Sequence, residues 1–414
     1  MKTLTWLGVK LLEVLFAIVM LPTLAGACLF ARSRRNHGVL PRVALGPAPI
    51  ISLKYISQAL RQLGYKADTC VSKVYKIHDQ SDFDLHAEDL ISLGWLPRAW
   101  RNPVRRLAGP YWVFLHIIFR YDCVILLFEG GYLSKTPLGK LDLPLLRLAG
   151  CRTAVFPYGG DCAVPSLTHS MAWRHGLSVS YPTYGLNEAS TIRRLARLCR
   201  QADFVLACIV HWETLPKWDL IATLCYPIDT ELWCMPPPEP KHEAVVIAHS
   251  PNHRGMKGTE HLIAASEKLN AEGVKHELRL LENMTNLEVR EALIESDILV
   301  EQLLLGYALS AVEGMALGKV VVSNLADDHY YAFHRANTGL DECPIVSATT
   351  ETIEGVLRDL IMNDGKRRAI AKKGRDYVMK FHSYGAMGRM WDQILRHIWM
   401  GQPRPASAWH PDKS

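Results

Sequence analysis

Short apolar runs recur along the chain, each followed by a stretch whose apolar side chains return every three or four positions. The first run, at 42–46, ends in a Gly/Pro loop at Gly46. Tyr55, Ile56, Leu60 and Leu63 then share one helical face, with Ser52 as the expected cap and Gly64 as the stop, before a second strand at 67–71. A buried strand at 123–128 runs into Glu129-Gly130-Gly131, a helix is expected to open at Thr136-Pro137, and a strand at 153–156 ends in Tyr158-Gly159-Gly160-Asp161. A basic helix around 192–200 leads to a strand at 204–207, and Pro227-Ile228-Asp229 marks an exit. Residues 82–110 break this rhythm. Their Trp95, Trp100, Arg98, Arg101, Arg105 and Arg106 suit either a solvated excursion over the sheet or a face turned to an acceptor or a lipid interface.

The alternation restarts after the proline-rich stretch 236–240, which has the stiffness of a linker. A strand at 244–248 is followed by a loop carrying Arg254 and Lys257, then by a helix through Leu262, Ile263 and Leu269 that stops at Gly273. A strand through Leu278 and Leu280, a helix capped by Thr285 with Glu288 three residues on, and a strand at 298–300 come next. A loop containing Gly306, a small-residue helix carrying Glu313, a stop at Gly318 and a strand at 320–322 complete the unit. Amphipathic helices are expected at 350–362 and 387–399. Strand, helix and strand, twice over, predict an α/β protein of two Rossmann-like domains facing each other across a cleft. The expected divisions are an anchor and basic flank at 1–37, a first domain at 38–235, a second at 236–380, and a last helix at 381–414 with a frayed Pro-rich tail.

From 11 to 31 the chain is almost wholly apolar, interrupted by Glu13 and Pro22 and followed by Arg32, Arg34 and Arg35. About 20 such residues cross a bilayer. The basic flank then predicts a cell-membrane protein whose domains face the cytoplasm. The competing expectations are an interfacial helix using Lys10 and Glu13, and a leader cleaved near Ala25-Gly26-Ala27-Cys28.

With 414 residues the chain has room for two cores, and 49% hydrophobic against 21% charged residues exclude a disordered chain. A net charge of +6 favours phosphorylated ligands or anionic lipid, but it is too small and too evenly spread for a nucleic-acid partner. Ten cysteines without a Cys-x-x-Cys pair predict free thiols in a reducing compartment. Asp327, Asp328, His329 and His334 read as a solvated acidic loop, so no metal is expected. Gly46 stands in no Gly-x-Gly-x-x-Gly, so neither a dinucleotide nor another cofactor is expected.

Three features carry chemistry. Arg254 and Lys257 precede a helix, where fixed cations would hold a departing diphosphate as negative charge builds on it. The backbone of Gly306, Tyr307, Ala308 and Leu309 lies between a strand end and a helix start, where N–H groups meet phosphate, and Glu313 is one turn on, within reach of sugar hydroxyls. Asp161, after Gly-Gly, suits either an acceptor hydroxyl or a turn cap.

Lys257-Gly258, Gly306, Glu313 and the Gly318-Lys319-Val320-Val321 ending resemble the nucleotide-sugar site of glycosyltransferase family 4, whose members have the GT-B fold. That family's motif carries two glutamates eight positions apart and a Gly-Lys-Pro-Val ending; here the first glutamate's position holds Leu305 and the proline is Val320. The resemblance implies retaining transfer of a hexosyl unit from a nucleotide diphosphate sugar to a lipid-linked or growing saccharide at a membrane, in polysaccharide or glycolipid synthesis. It places Arg254 and Lys257 on the donor phosphates and Glu313 on the ribose. It also places the loops at Gly46, Gly130, Gly131, Gly159 and Gly160 in the acceptor pocket, and has the last helix cross back onto the first domain. A non-catalytic GT-B-like partner, which Leu305 favours, and a sugar-nucleotide epimerase are the alternatives.

Overall fold

The computed structural model describes residues 2–75, 78–210, 212–233 and 243–413; the proline-rich stretch at 236–240 lies outside them. Helix α1 (Lys2–Arg32) precedes a seven-stranded sheet built from β1 (Val43–Gly46), β2 (Ala67–Val71), β3 (Leu85–His86), β4 (Cys123–Leu127), β5 (Arg152–Phe156), β6 (Phe204–Ala207) and β7 (Leu220–Ile221). Its spatial order is β3-β2-β1-β4-β5-β6-β7, with every pair parallel. Between the strands run α2 (Ile51–Gln62), α3 (Arg98–Arg120), α4 (Asp142–Leu148), α5 (Met171–Ser180), α6 (Pro182–Leu186) and α7 (Glu188–Gln201). The second sheet holds β8 (Val245–His249), β9 (His276–Leu280), β10 (Ile298–Gln302), β11 (Val320–Ser323) and β12 (Val346–Ser347), all parallel, in the order β12-β11-β10-β8-β9. Its helices are α8 (Arg254–Lys257), α9 (Thr259–Ala271), α10 (Asn286–Ile294), α11 (Leu309–Ala316), α12 (Asp328–Asn337), α13 (Ile353–Met362), α14 (Asp364–Phe381) and α15 (Tyr384–Met400).

Both faces of the first sheet are covered, which is why its central strands read as unbroken apolar runs. Alternate residues serve the two sides. Val43, Leu45, Ile125 and Phe156 pack with α2 and α15, whereas Ala44, Val124, Leu126 and Val155 pack with α1, α3, α4 and α7. The first of these clusters runs unbroken into the second domain through Met256, Leu305 and Tyr331. Helix α15 lies on α2, where Gly388 sits against Ala59 and Leu63 and the Tyr65 hydroxyl donates to Asp392 at 2.6 Å.

Several local expectations are corrected. Ser52 is not the cap of α2: Ile50 holds that place, and Ser52 is buried inside the helix. The second part of the stretch read as irregular, from Arg98 on, is the start of the long helix α3, whose Pro103 and Pro110 hide its periodicity. Thr136 caps a turn rather than a helix, with its hydroxyl accepting from the Leu138 N–H, and α4 begins only at Asp142. Three helices, not two, close the chain. The tail is docked rather than frayed: Trp409 is buried, and its N–H donates to the Ile221 carbonyl at the sheet edge.

The N-terminal helix has the length and apolarity expected of a membrane span, and it also packs on the first domain. Gly8–Arg32 is long and apolar enough to cross a membrane. It nevertheless lies along the first domain against α3 and α4, burying Ala17, Leu24, Cys28 and Ala31. Arg35 is no free flanking charge. Its guanidinium pairs with Asp122 at 2.5 Å and donates to the Ala149 and Ile118 carbonyls.

Candidate functional site

In an open parallel sheet the ligand crevice lies beyond the carboxyl ends of the strands, where strand order reverses. In the second sheet that point falls between β8 and β10. His249 ends β8 fully buried, with Nδ1 2.7 Å from the Val300 carbonyl and Nε2 2.8 Å from the Thr259 hydroxyl. Burial pushes its pKa down to about 4, so the ring is neutral and acts as a tie between β10 and the start of α9. Gly258 adopts φ +73°, which lets α9 follow the single turn of α8 directly, and a Cβ there would come within 3.0 Å of Leu303. Lys257 is thereby aimed at the end of β10. Its ammonium pairs with Glu301, whose carboxylate also accepts from the hydroxyls of Ser310 (3.1 Å) and Ser323 (3.3 Å). Glu301 is 2% exposed and the Lys257 side chain 12%.

Sequence reasoning gave Glu301 no role. Its signal was faint: an acidic residue ending an otherwise apolar strand, on the edge where ligands bind. Ser310, in the first turn of α11, brings that helix's amino terminus to the same point.

Glu313 is one turn into α11, partly buried, and its carboxylate has no hydrogen-bond or ion-pair partner among the described residues. Burial raises its pKa to about 8. Beyond the effect of their own burial, the Tyr55 and Tyr226 hydroxyls are pushed up by the nearby Glu313 charge, and Tyr226 also by Glu301. Glu301, which holds Lys257, and Glu313 thus both lie near Tyr226, and Glu313 also lies near Tyr55 of the first domain. Arg254 does not join them. Its guanidinium is held outward by Glu260 (2.7 Å) and Glu282 (3.1 Å).

The loop before α11 is also only partly available. The Gly306 N–H donates to the Asn324 carbonyl at 2.8 Å, and its carbonyl accepts from Ser323. Tyr307 is buried, with its hydroxyl 3.4 Å from that of Tyr377. These two residues belong to the core, and only Ala308 and Leu309 keep solvent contact.

In the first sheet the order reverses between β1 and β4. Here a cavity of about 310 Å³ opens, lined among others by Pro47, Lys73, Arg105, Glu129, Gly130 and Lys135. Gly130, at φ +108°, and Gly131 line it directly. Gly46 serves packing instead, because a Cβ would overlap the Cys70 carbonyl oxygen. Gly159 and Gly160 lie beyond β5, outside this cavity, and a Cβ at Gly160 would strike the Tyr184 hydroxyl. Asp161 is 3% exposed and accepts from the N–H groups of Phe128 (3.0 Å), Tyr158 (3.1 Å) and Gly159 (3.0 Å). Burial lifts its pKa to about 6. It fastens the two strand-end loops together. The domains meet where α5 packs on α8, with the Tyr181 ring 4.4 Å from His253, and where His169 stacks on Tyr330.

No protein-family model matches the chain, and no curated protein matches it in sequence. Solved structures match its fold. Sucrose-phosphate synthase from Thermosynechococcus elongatus aligns over 88% of this chain and 100% of that one, with a TM-score of 0.58 and 11% identity. Anabaena HepE, solved in complex with UDP-glucose, gives 0.55 and 11% over 86% and 99%. A glycosyltransferase from Rickettsia africae gives 0.53 and 11% over 87% and 98%. At this identity the likeness bears on architecture: two parallel-sheet α/β domains joined as in those enzymes, preceded by one apolar helix, give this chain the GT-B fold.

Proposed function

We propose that the chain is a retaining glycosyltransferase that moves a sugar from a nucleotide diphosphate sugar to a lipid-linked or growing saccharide acceptor at the cytoplasmic face of a membrane. The observation that carries this reading is the meeting of Lys257, the amino terminus of α11 and Glu313 at the switch point of the second sheet, opposite the first domain. GT-B neighbours that include a UDP-glucose complex support it.

In this reading the donor diphosphate lies against Lys257 and the start of α11. Glu301 is what keeps the lysine there before any donor arrives. Glu313 meets the ribose, and with its pKa near 8 it is largely protonated at neutral pH, so it donates to one hydroxyl as well as accepting from another. As the bond between the anomeric carbon and the phosphate oxygen breaks, Lys257 stabilises the growing charge. The acceptor oxygen then bonds to the same face of that carbon, and its proton passes to the departing phosphate. No separate base is required. The products are the glycosylated acceptor and a nucleoside diphosphate.

The test is a panel of nucleoside diphosphates and their sugars on the full chain in detergent, read by thermal shift and by release of nucleoside diphosphate. One nucleotide should raise the unfolding midpoint, and both Lys257→Ala and Glu313→Ala should lose the shift. Equal binding by the Lys257 variant would sink the proposal. Binding with neither hydrolysis nor transfer would favour the non-catalytic reading, for which the burial of Leu305 in the core speaks.

A further inference from the structure

Helix α1 exposes on its outer side what its inner side buries. Leu11, Leu12, Leu15, Ile18, Val19, Leu29 and Phe30 are exposed, and between Glu13 and Arg32 only Thr23 carries a polar side chain. Such a face gives a protein partner nothing to hydrogen-bond, whereas an acyl layer needs nothing more. Beside it, α3 exposes Trp100, Trp112 and Phe119, and Phe30 meets Phe119 edge to face at 6.2 Å, so the two helices form one surface. Lys10 and Glu13 lie at the start of this apolar stripe, and Arg34, over the Phe30 ring, lies just past its end. Tryptophans and arginines flanking an apolar stripe fit a bilayer surface.

The cavity of the first domain opens beside this surface. One of its walls is α3, through Arg105, Arg106, Gly109, Pro110 and Val113. Its Ser134 and Lys135 also line a smaller recess against Lys10, Glu13 and Val14 of α1. Among the described residues four cations, Lys73, Arg105, Arg106 and Lys135, line the cavity against two carboxylates, Glu88 and Glu129. Neither carboxylate cancels them tightly: Glu88 stands 4.0 Å from Arg105, and Glu129 accepts from the Tyr158 hydroxyl. Arg106 also lies 3.5 Å from Glu13 of α1. A volume of about 310 Å³ suits a headgroup but not a long chain, which would have to leave along α1.

We propose that α1 lies in the plane of the membrane with α3, rather than across it, and that the cavity takes the phosphate of a lipid acceptor whose chain runs along the outer face of α1. This rests on the glycosyltransferase reading for the word acceptor, but not for the lipid phosphate itself. Flotation of the full chain with phosphatidylcholine vesicles tests the first part. Binding should be lost in Leu15→Glu/Val19→Glu, and tryptophan quenching by brominated lipid should fall clearly in Trp100→Phe/Trp112→Phe. Undiminished quenching in that pair would mean that α3 stands off the membrane, and would overturn the in-plane arrangement.

The second part is tested by adding a small fraction of polyprenyl phosphate to the vesicles. Affinity should rise roughly tenfold, and Arg105→Ala/Lys135→Ala should lose the rise while still binding plain phosphatidylcholine vesicles. No rise, or full competition by soluble inorganic pyrophosphate, would overturn it in favour of a free anion site. Thermal unfolding checks that each variant is folded. Flotation uses no nucleotide sugar, so it can succeed where donor hydrolysis fails, and the two proposals fail separately.

Discussion

The two sheets differ at the edge where each reverses its strand order. The first ends in an open cavity lined by loosely paired cations, trimmed by glycines and braced from behind by Asp161. The second ends in a filled site, where Lys257 is already paired with Glu301 and the neighbouring domain packs close by. One edge is shaped to admit a ligand. The other holds a charge in place before the ligand comes, so that little reorganisation is left for the moment of binding.

The sharpest way to break that comparison is Lys257→Ala. We expect donor turnover to fall by roughly a hundredfold to a thousandfold, the scale of removing one preorganised charge from a transition state. The variant should also lose about 3 kcal/mol of stability, because Glu301 is left buried and unpaired. Lys257→Ala/Glu301→Gln separates the two effects: denaturant unfolding should recover, whereas turnover should not. Turnover that returned with stability would reduce the pair to a structural tie.

Asp161→Ala probes the first edge in the same terms. It orphans three backbone N–H groups, so a loss of about 3 kcal/mol in chemical denaturation is expected. The acceptor KM should worsen through the loosened loops more than kcat does. An unchanged stability with a collapse of kcat would instead restore the acceptor-orienting role that the Gly-Gly-Asp sequence suggested.

What could be read from the chain follows from how local each feature is. Strand β4 is an unbroken apolar run, and α10 announces itself through Thr285 and Glu288, whose reciprocal capping bonds are present. Glycine stops were equally plain, because Gly64, Gly273 and Gly318 all take positive φ. Features that depend on distant partners stayed hidden. Glu301 meets Lys257 across 44 positions of chain, a contact fixed only once β8 and β10 lie side by side. Arg254 reads like Lys257 in sequence, yet the carboxylates that turn it away come from α9 and from the loop after β9. An apolar helix looks alike whether lipid or protein covers it, so the contact of α1 with α3 and α4 left no mark.

A smaller effect separates the edges by pH. Because burial raises the folded pKa of Glu313 to about 8, the folded protein holds a proton that the unfolded chain releases near pH 4.5. The stability this residue contributes is therefore complete below about pH 4.5 and is lost as pH rises towards 8. Glu313 as a whole is only partly buried, which limits the effect to about 2 kcal/mol. Unfolding free energies measured across this window should fall more steeply for the parent than for Glu313→Gln. Identical slopes would mean that Glu313 titrates normally, and its neutral role towards a ribose would go with it.

The least expected change is the most discriminating for the second edge. Arg254 and Lys257 sit three residues apart on one helical turn, and the family resemblance gives both to the donor phosphates. The structure separates them: Lys257 turns inward to Glu301, and Arg254 turns out to Glu260 and Glu282. Exposed pairs of that kind contribute little, so Arg254→Ala should change kcat/KM by less than about threefold. For Arg254 to serve the diphosphate it would have to leave two carboxylates, and Glu260→Gln/Glu282→Gln would then release it and raise donor affinity. A large loss of kcat/KM in Arg254→Ala, together with tighter donor binding in the double glutamine variant, would show that the second edge is assembled only when the donor arrives, and is not held ready beforehand.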